Sequence, residues 1–231
     1  MEFCILSRDI EKLERYGRLS TTHLMLAQVT DQRYWQFYHE RRKEGDWLIL
    51  DNGAFEGKID NVTLRNRIAT EAPDVVVLPD YLDQRWQATY TAARRFLDDN
   101  CGRWPSVSGW MYVPQSVRGD IVGWSISLMN ALDDQRINWV GLPRALAYLY
   151  TDDRFIRARI AEHLKKYRPD IKLHALGMVH GDVAELSALR ETKCVESIDS
   201  HYPIDDGEND EILSRLEACG VYVNARAGNT T

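Results

Sequence analysis

The sequence predicts an α/β protein, and within that class a compact, TIM-like (β/α)8 barrel that spans residues 1–231 as a single domain. Short apolar runs alternate with segments of helical periodicity at a fairly even pitch. No G-x-G-x-x-G or G-x-x-x-x-G-K phosphate loop follows the first strand, which disfavours the competing doubly wound open sheet. Polar residues also gather at the C-terminal ends of several different strands, where barrels place their active sites.

The strands are predicted from apolar runs that are too short for a typical helix. They are Phe3–Ser7, His23–Val29, Trp47–Asp51, Val75–Leu78, Gly109–Gln115, Asn138–Pro143, Lys172–Gly177 and Val195–Asp199, with a short ninth strand at Val221–Val223.

The helices are predicted from apolar residues that recur three or four positions apart. They are Asp31–Lys43, Val62–Glu71, Gln84–Asp99, Asp120–Leu132, Asp152–Tyr167, Val183–Leu189 and Ile212–Ala218. The fifth of these has the strongest pattern, because acidic residues open it and Lys165 and Lys166 close it, as the helix dipole favours. The stretch around Glu11–Arg18 is polar, and we assign it neither a helix nor a strand.

Composition bounds the class of protein. Of 231 residues, 44% are hydrophobic and 28% are charged, which is typical of a globular chain with a sizeable core. No apolar run approaches the roughly 20 residues of a membrane span, and the N-terminus lacks the pattern of a signal peptide. We therefore expect a cytoplasmic protein with no membrane partner.

Charge and cysteine usage argue against two further classes of site. The net charge of −6 argues against binding nucleic acid nonspecifically over the whole surface. The four cysteines are far apart, and ligand pairs at short spacing are missing, which argues against a structural zinc site. We predict neither a metal nor a cofactor.

Three of the predicted strands lead into aspartates: Asp51, Asp80 and Asp199. Gly53 follows the first of them and can adopt the positive φ that a tight turn needs. An aspartate at a strand end is also often a helix cap or a turn residue, and each one alone fits either interpretation. Their joint placement with Gln115 and Gly141 at strand ends favours a single functional site.

Motifs at these strand ends follow one another in a specific order. They are Asp51-Asn-Gly-Ala-Phe-Glu56, Asp80, Tyr112-Val-Pro-Gln115, Gly141-Leu142, Leu176-Gly177 and Ile198-Asp-Ser-His-Tyr-Pro203. This order resembles the tRNA-guanine transglycosylase superfamily, which comprises the queuine- and archaeosine-inserting enzymes and relatives that place 7-deazaguanines in DNA. The resemblance spans most of the chain and implies a barrel enzyme that exchanges bases in nucleic acid.

The chain departs from the family pattern at several positions. Asn52 and Ala54 stand where the family has serine and glycine, and Glu56 stands where it has glutamine. The cysteine-rich zinc element that follows the barrel in the tRNA enzymes has no counterpart in this sequence. The resemblance is therefore closer to the compact, zinc-free, often phage-encoded branch, and DNA is favoured over tRNA as the acceptor.

In a base exchange at a glycosidic bond, each of the three aspartates would have a different role. Asp199 would be the nucleophile that forms a covalent aspartyl-glycosyl intermediate, and Asp51 would move protons on and off the bases. Asp80 would accept hydrogen bonds from the N1–H and exocyclic amine of guanine. The further substrate-binding residues are predicted to be Asn52, Gly53, Tyr112, Gln115, Gly141, Leu142, Leu176, Gly177, Met178 and His201, with Tyr202 as another ring that could sandwich the purine.

Two other functions use the same features. An N-glycosidase or nucleoside hydrolase would employ these carboxylates with water as the acceptor. A non-catalytic subunit could instead keep the pocket and help another protein to hold nucleic acid. The expected partners are thus nucleic acid and a purine or 7-deazaguanine base. The resemblance adds a homodimer or a heteromeric partner, because the queuine enzymes commonly dimerise.

Overall fold

A computed structural model of the chain describes residues 1–55, 57, 60–151, 153–178, 181–205 and 208–221. Eight parallel strands form one nearly closed barrel, in the order β1-β8-β7-β6-β5-β4-β3-β2, with helices between them. The predicted (β/α)8 architecture is therefore confirmed. The strands are β1 Glu2–Ile5, β2 Thr22–Leu26, β3 Trp47–Asp51, β4 Val75–Val77, β5 Gly109–Tyr112, β6 Trp139–Pro143, β7 Lys172–Leu176 and β8 Ser197–Ser200.

Helices connect successive strands on the outside of the barrel. They are α1 Ile10–Tyr16, α2 Gln32–Lys43, α3 Asn61–Glu71, α4 Trp86–Asn100, α5 Ile121–Leu132, α6 Ile156–Tyr167, α7 Val183–Thr192 and α8 Asn209–Ala218. Several begin at aspartate caps; Asp60, for example, accepts hydrogen bonds from the backbone N–H groups of Val62 and Thr63. None of the described helices is both long enough and apolar enough to cross a membrane.

Two segments differ from the prediction. The polar stretch to which no element was assigned forms α1, which Asp9 caps and which buries Leu13 and Tyr16. The strongest predicted helix begins four residues late, at Ile156, and a π-helical turn at Leu146–Tyr150 precedes it.

Several predicted boundaries also shift. β2 ends at Leu26 rather than Val29, because the chain turns there and the Val29 N–H bonds the Leu26 carbonyl at 3.1 Å. β8 begins at Ser197, two residues later than predicted. The proposed ninth strand falls on residues 222 and 223, outside the described part of the chain, as do Asp152 and Glu56.

The alternation of side chains along the strands decides what can reach the active-site end. On each strand, every second residue points into the barrel and its neighbours point towards the helices. The inward cluster is Cys4, Leu24, Ile49, Val75, Val77, Met111, Val113 and Trp139, all buried. These side chains fill the barrel interior, so a ligand has access only above them, at the C-terminal ends of the strands.

Candidate active site

A cavity of about 540 Å³ lies at the C-terminal ends of the strands. This volume is within the roughly 300–1,000 Å³ that small-molecule sites occupy. Most of the residues predicted from the sequence line it. They are Asp51, Asn52, Asp80, Gln115, Leu176, Gly177, Met178, Asp199 and His201.

Asp80 is held between two amide side chains. Its Oδ1 accepts a hydrogen bond from Asn52 Nδ2 at 2.6 Å, and its Oδ2 accepts one from Gln115 Nε2 at 2.7 Å. The carboxyl group is buried, and burial raises its pKa to about 6, although the two amide bonds hold the pKa down in part. Asp80 is therefore mostly ionised at pH 7, and its orientation is set by side chains from the segments that follow β3 and β5.

Asp199 is fixed by a different set of donors. His174 Nε2 lies 3.0 Å from Asp199 Oδ1, and the backbone N–H of Gly177 donates to the same oxygen at 3.0 Å. Because a carboxylate only accepts, the imidazole carries its proton on Nε2, and in the neutral ring Nδ1 accepts from Ser197 Oγ at 2.7 Å. Among the described residues, both bonds fall on Oδ1, which leaves the lone pairs of Oδ2 for a ligand.

Asp51 ends β3 and is more open than the other two carboxylates. Its Oδ2 accepts a hydrogen bond from the backbone N–H of Gly53 at 2.9 Å. That contact requires the chain to turn back immediately after the strand, and Gly53 does so at φ 72°. Gly53 was predicted to bind substrate, but it does not line the cavity. Its backbone N–H instead bonds Asp51.

A buried ion pair supports the β6 and β7 side of the cavity from below. Arg157 and Glu185 form two parallel hydrogen bonds of 2.7 Å, and both side chains are almost completely buried. Arg157 Nη1 also donates to the carbonyl oxygens of Leu142 at 3.2 Å, Leu176 at 3.2 Å and Gly177 at 2.8 Å. Because the Gly177 N–H bonds Asp199, this arginine anchors the turn that positions the carboxylate.

Four other predicted contacts lie away from the cavity. Tyr112 points towards the helices, since Met111 and Val113 on either side point inward, and its hydroxyl lies 2.7 Å from Ser127 Oγ on α5. Leu142 is likewise outward, in the core between barrel and helices. A Cβ at Gly141 would approach Val113 and Leu176 to 2.8 Å, so this glycine serves packing below the cavity. Tyr202 packs over Arg215 instead.

The structure also adds residues that the sequence reasoning did not select. Arg8 and Arg144 line the cavity from the loops after β1 and β6, and Lys12 lines it from α1. The Arg144 guanidinium lies 5.5 Å from the centre of the exposed Phe55 ring. His174, in the middle of β7, has the sequence context of an ordinary core histidine. Because side chains alternate along a strand, His174 lies on the same face of β7 as Leu176, which packs against the inward cluster. This alternation is the sequence feature that could have identified His174 as a residue facing Asp199.

The acidic side chains at the cavity have no arrangement typical of a metal centre. Among the described residues, no group of three or more histidine, cysteine, aspartate and glutamate side chains could hold a metal ion. Cys4, the β1 neighbour of Asp199, is fully buried, and burial, followed by the Asp199 charge, raises the pKa of its thiol. Cys4 therefore packs as a neutral side chain.

Comparison with solved structures gives distant matches over nearly the whole chain. KGPDC from Streptococcus mutans is 11% identical, with a TM-score of 0.52, over 95% of this chain and 98% of that chain. The homocysteine methyltransferase MmuM from Escherichia coli is 8% identical, with a TM-score of 0.52, over 91% and 84%. These likenesses show the barrel fold alone. No protein-family model matches the chain, and no curated protein matches it.

Proposed function

We propose that this protein is a pentosyltransferase that exchanges guanine in nucleic acid, with DNA favoured over tRNA, for a 7-deazaguanine base. One observation carries the proposal: Asp51, Asp80 and Asp199 line a single cavity, each with its own set of hydrogen-bond donors. The resemblance of the strand-end motifs to the transglycosylase superfamily supports the same assignment.

In the first half of the reaction, Asp199 Oδ2 attacks C1′ of the guanosine. The C1′–N9 bond breaks, its electron pair stays with the base, and protonated Asp51 supplies a proton to the departing purine. His174 and Gly177 keep Oδ1 in place and stabilise it as the carbonyl oxygen of the new ester. The product is a covalent aspartyl-glycosyl intermediate.

In the second half, the incoming base gives its N9 proton to the Asp51 carboxylate and attacks C1′. The bond between C1′ and Asp199 breaks, which restores the carboxylate. Two displacements at one carbon give net retention of configuration, as in retaining glycosidases.

Asp80 selects the base. Each of its oxygens accepts one bond from an amide and keeps another lone pair, so the carboxylate can still accept from N1–H and the exocyclic amine of guanine. Adenine has an acceptor at N1 and would face the ionised carboxylate unfavourably. Because the cavity lies within the barrel mouth, a base in a duplex must first be extruded from the stack.

The test is the incorporation of labelled guanine or a labelled 7-deazaguanine into DNA and tRNA by the purified protein. We expect Asp199→Ala to lower the exchange rate by about 10³-fold or more, since the covalent step is lost. Asp99→Ala is a matched control, because Asp99 is an exposed carboxylate near the end of α4 that does not line the cavity, and its exchange rate should stay within a few-fold of the parent rate.

An Asp199→Ala variant that exchanges base at the parent rate would remove the assignment of the nucleophile. Release of free base without re-incorporation would identify a hydrolase instead. Nucleoside mass spectrometry of DNA and tRNA from cells with and without the protein then identifies the acceptor, and no new 7-deazaguanine in either would exclude the transglycosylase function.

A further inference from the structure

Two cations that line the cavity have no carboxylate partner among the described residues. The Arg144 guanidinium packs against the Phe55 ring, and the Lys12 ammonium donates a hydrogen bond to the Ile204 carbonyl oxygen at 2.8 Å. Both side chains are half-buried. Because a cation that is partly removed from water is stabilised by a counter-ion, these two positions favour the binding of anionic groups.

The two cations flank Asp199, the proposed nucleophile. The strand that carries it, β8, lies between β7 and β1 in the sheet. Arg144 is on the β7 side, because a Cβ placed at Gly177 would lie 3.0 Å from the Arg144 Cδ, and the Gly177 N–H bonds Asp199 at 3.0 Å. Lys12 is on the β1 side, since α1 follows β1 and Ile204 lies in the turn after β8.

Two further carboxylates at the cavity rim have partners of their own. Asp9 accepts hydrogen bonds from two backbone N–H groups as the cap of α1, and Asp205 forms an ion pair with His201. Arg8 also lines the cavity, from the loop after β1, and adds positive charge on the side of Lys12. The chain as a whole has a net charge of −6, so this positive rim is a local feature.

We propose that Arg144 and Lys12 bind the two phosphates that flank the reacting nucleotide, one on each side. This inference rests on the proposed function and narrows its substrate to a nucleotide within a strand, as opposed to a free nucleoside. Each sugar inside a strand carries one phosphate at its 5′ oxygen and one at its 3′ oxygen. A sugar whose C1′ meets Asp199 therefore places a phosphate on either side of this carboxylate.

The chemistry of the two side chains suits this role. A guanidinium and an ammonium both form charge-assisted hydrogen bonds with phosphate oxygens. Contacts of this kind position the strand and carry no sequence information, so they hold the sugar over Asp199 while Asp80 selects the base.

The test measures the binding of a short, fluorescently labelled single strand of DNA with one central guanine, by anisotropy over a series of salt concentrations. We expect Arg144→Met and Lys12→Met each to weaken binding by about five- to tenfold at about 50 mM salt. Each should also reduce the slope of log K against log salt by about 0.7, the value for one phosphate contact with a single strand. Arg144→Lys and Lys12→Arg keep the charge and should keep the slope, which a loss of packing alone would not change.

A second strand, with uncharged methylphosphonates in place of both phosphates beside the guanine, identifies the groups that are contacted. With the parent protein, this strand should bind as weakly as the normal strand binds the double variant Arg144→Met/Lys12→Met. The double variant should bind both strands equally. Lys43→Met is the control, since Lys43 is an exposed cation at the end of α2 that does not line the cavity, and it should leave the slope unchanged.

Circular dichroism checks that every variant is folded. A parent protein that does not bind the strand, or variants with the parent slope, would overturn the inference. Base exchange by the parent together with an unchanged slope in the variants would exclude the phosphate contacts alone. A reduced slope in the variants without any base exchange by the parent would instead contradict the proposed function alone.

Discussion

At the scale of single residues, three aspartates at strand ends have three different environments. Asp80 is buried between two amides, Asp199 is held by an imidazole and a backbone N–H, and Asp51 accepts from the turn that follows it. The three side chains are chemically identical. Their different hydrogen-bond partners allow them to take three different roles in one cavity.

The raised pKa of the buried Asp80 should make the free energy of unfolding depend on pH. Its pKa in the folded protein, about 6, lies above the ordinary value of 3.8 because of burial. The stability that its protonation contributes is thus complete below about pH 4 and is lost as the pH rises through 6. Relative to Asp80→Asn, the parent should lose up to about 3 kcal/mol of unfolding free energy between pH 4 and pH 7. Urea unfolding at a series of pH values measures the difference.

Asp60 provides a control of opposite sign. Its carboxylate caps α3, and hydrogen bonds from the Thr63 and Val62 N–H groups lower its pKa, so its contribution is present at neutral pH and is lost on acidification. The difference between the parent and Asp60→Asn should therefore change in the other direction. If the free energy of unfolding of the parent and of Asp80→Asn changed equally with pH, the pKa of Asp80 would not be raised by burial.

At the scale of elements, the β6 and β7 ends depend on a side chain from a helix. Arg157 of α6 reaches three carbonyl oxygens at these strand ends while Glu185 of α7 neutralises its charge. Burying an arginine is unfavourable unless its charge and its donors are satisfied, and here the carboxylate and the carbonyls satisfy them. Two helices and two strands are thereby held together beneath the turn that bonds Asp199.

Removing one partner of this pair should destabilise the protein more than removing both. We expect Arg157→Met or Glu185→Leu alone to lower the free energy of unfolding by about 3–5 kcal/mol, because an uncompensated charge stays buried. The double variant should cost less than the larger single effect. Chemical denaturation of the four proteins in a double-mutant cycle gives the coupling energy.

Arg154→Met is the matched control, since Arg154 forms an exposed ion pair with Asp182. Its loss should lower the free energy of unfolding much less than either single change at the buried pair, because an exposed ion pair contributes little. Strictly additive effects of the Arg157 and Glu185 changes would contradict the coupled buried pair.

At the scale of the whole molecule, the barrel closes where β1 and β2 lie side by side. β1 is hydrogen-bonded to β8 and β2 to β3, and the hydroxyl of the buried Ser20 lies between β1 and β2. Its Oγ is 2.7 Å from the Phe3 carbonyl oxygen, and it accepts from the Thr22 N–H at 3.2 Å. One side chain therefore satisfies backbone groups on both sides of the seam.

Ser20→Ala should weaken this closure. We expect a loss of about 1–3 kcal/mol in unfolding free energy, since buried backbone groups lose their partner. Amide hydrogen exchange should also accelerate in β1 and β2 before it does in β4 and β5. Ser108→Ala, at an exposed serine that also bonds a backbone carbonyl, should change the free energy much less. Equal effects of the two substitutions would argue against a special role of the seam.

Much of the barrel follows from local patterns in the sequence. Buried strands form continuous apolar runs and the longer helices repeat their apolar residues every three or four positions, so their type and order were predictable. The short α1 was not, because a helix of seven residues repeats its apolar positions too few times to stand out among charged residues, and the π-helical turn after β6 was not predicted either. Residues at strand ends could be named for the same local reason, and nine of the predicted site residues do line the cavity.

The sequence by itself thus determined the existence and order of the eight strands. It also determined that three of these strands lead into an aspartate. The tertiary structure decided which neighbours those aspartates meet. Asp80 is bonded by Asn52 and Gln115, 28 and 35 positions away, and Asp199 by His174, 25 positions away. Such contacts depend on strand register and barrel closure, and the pleat that points Met111 into the barrel must also point Tyr112 outward.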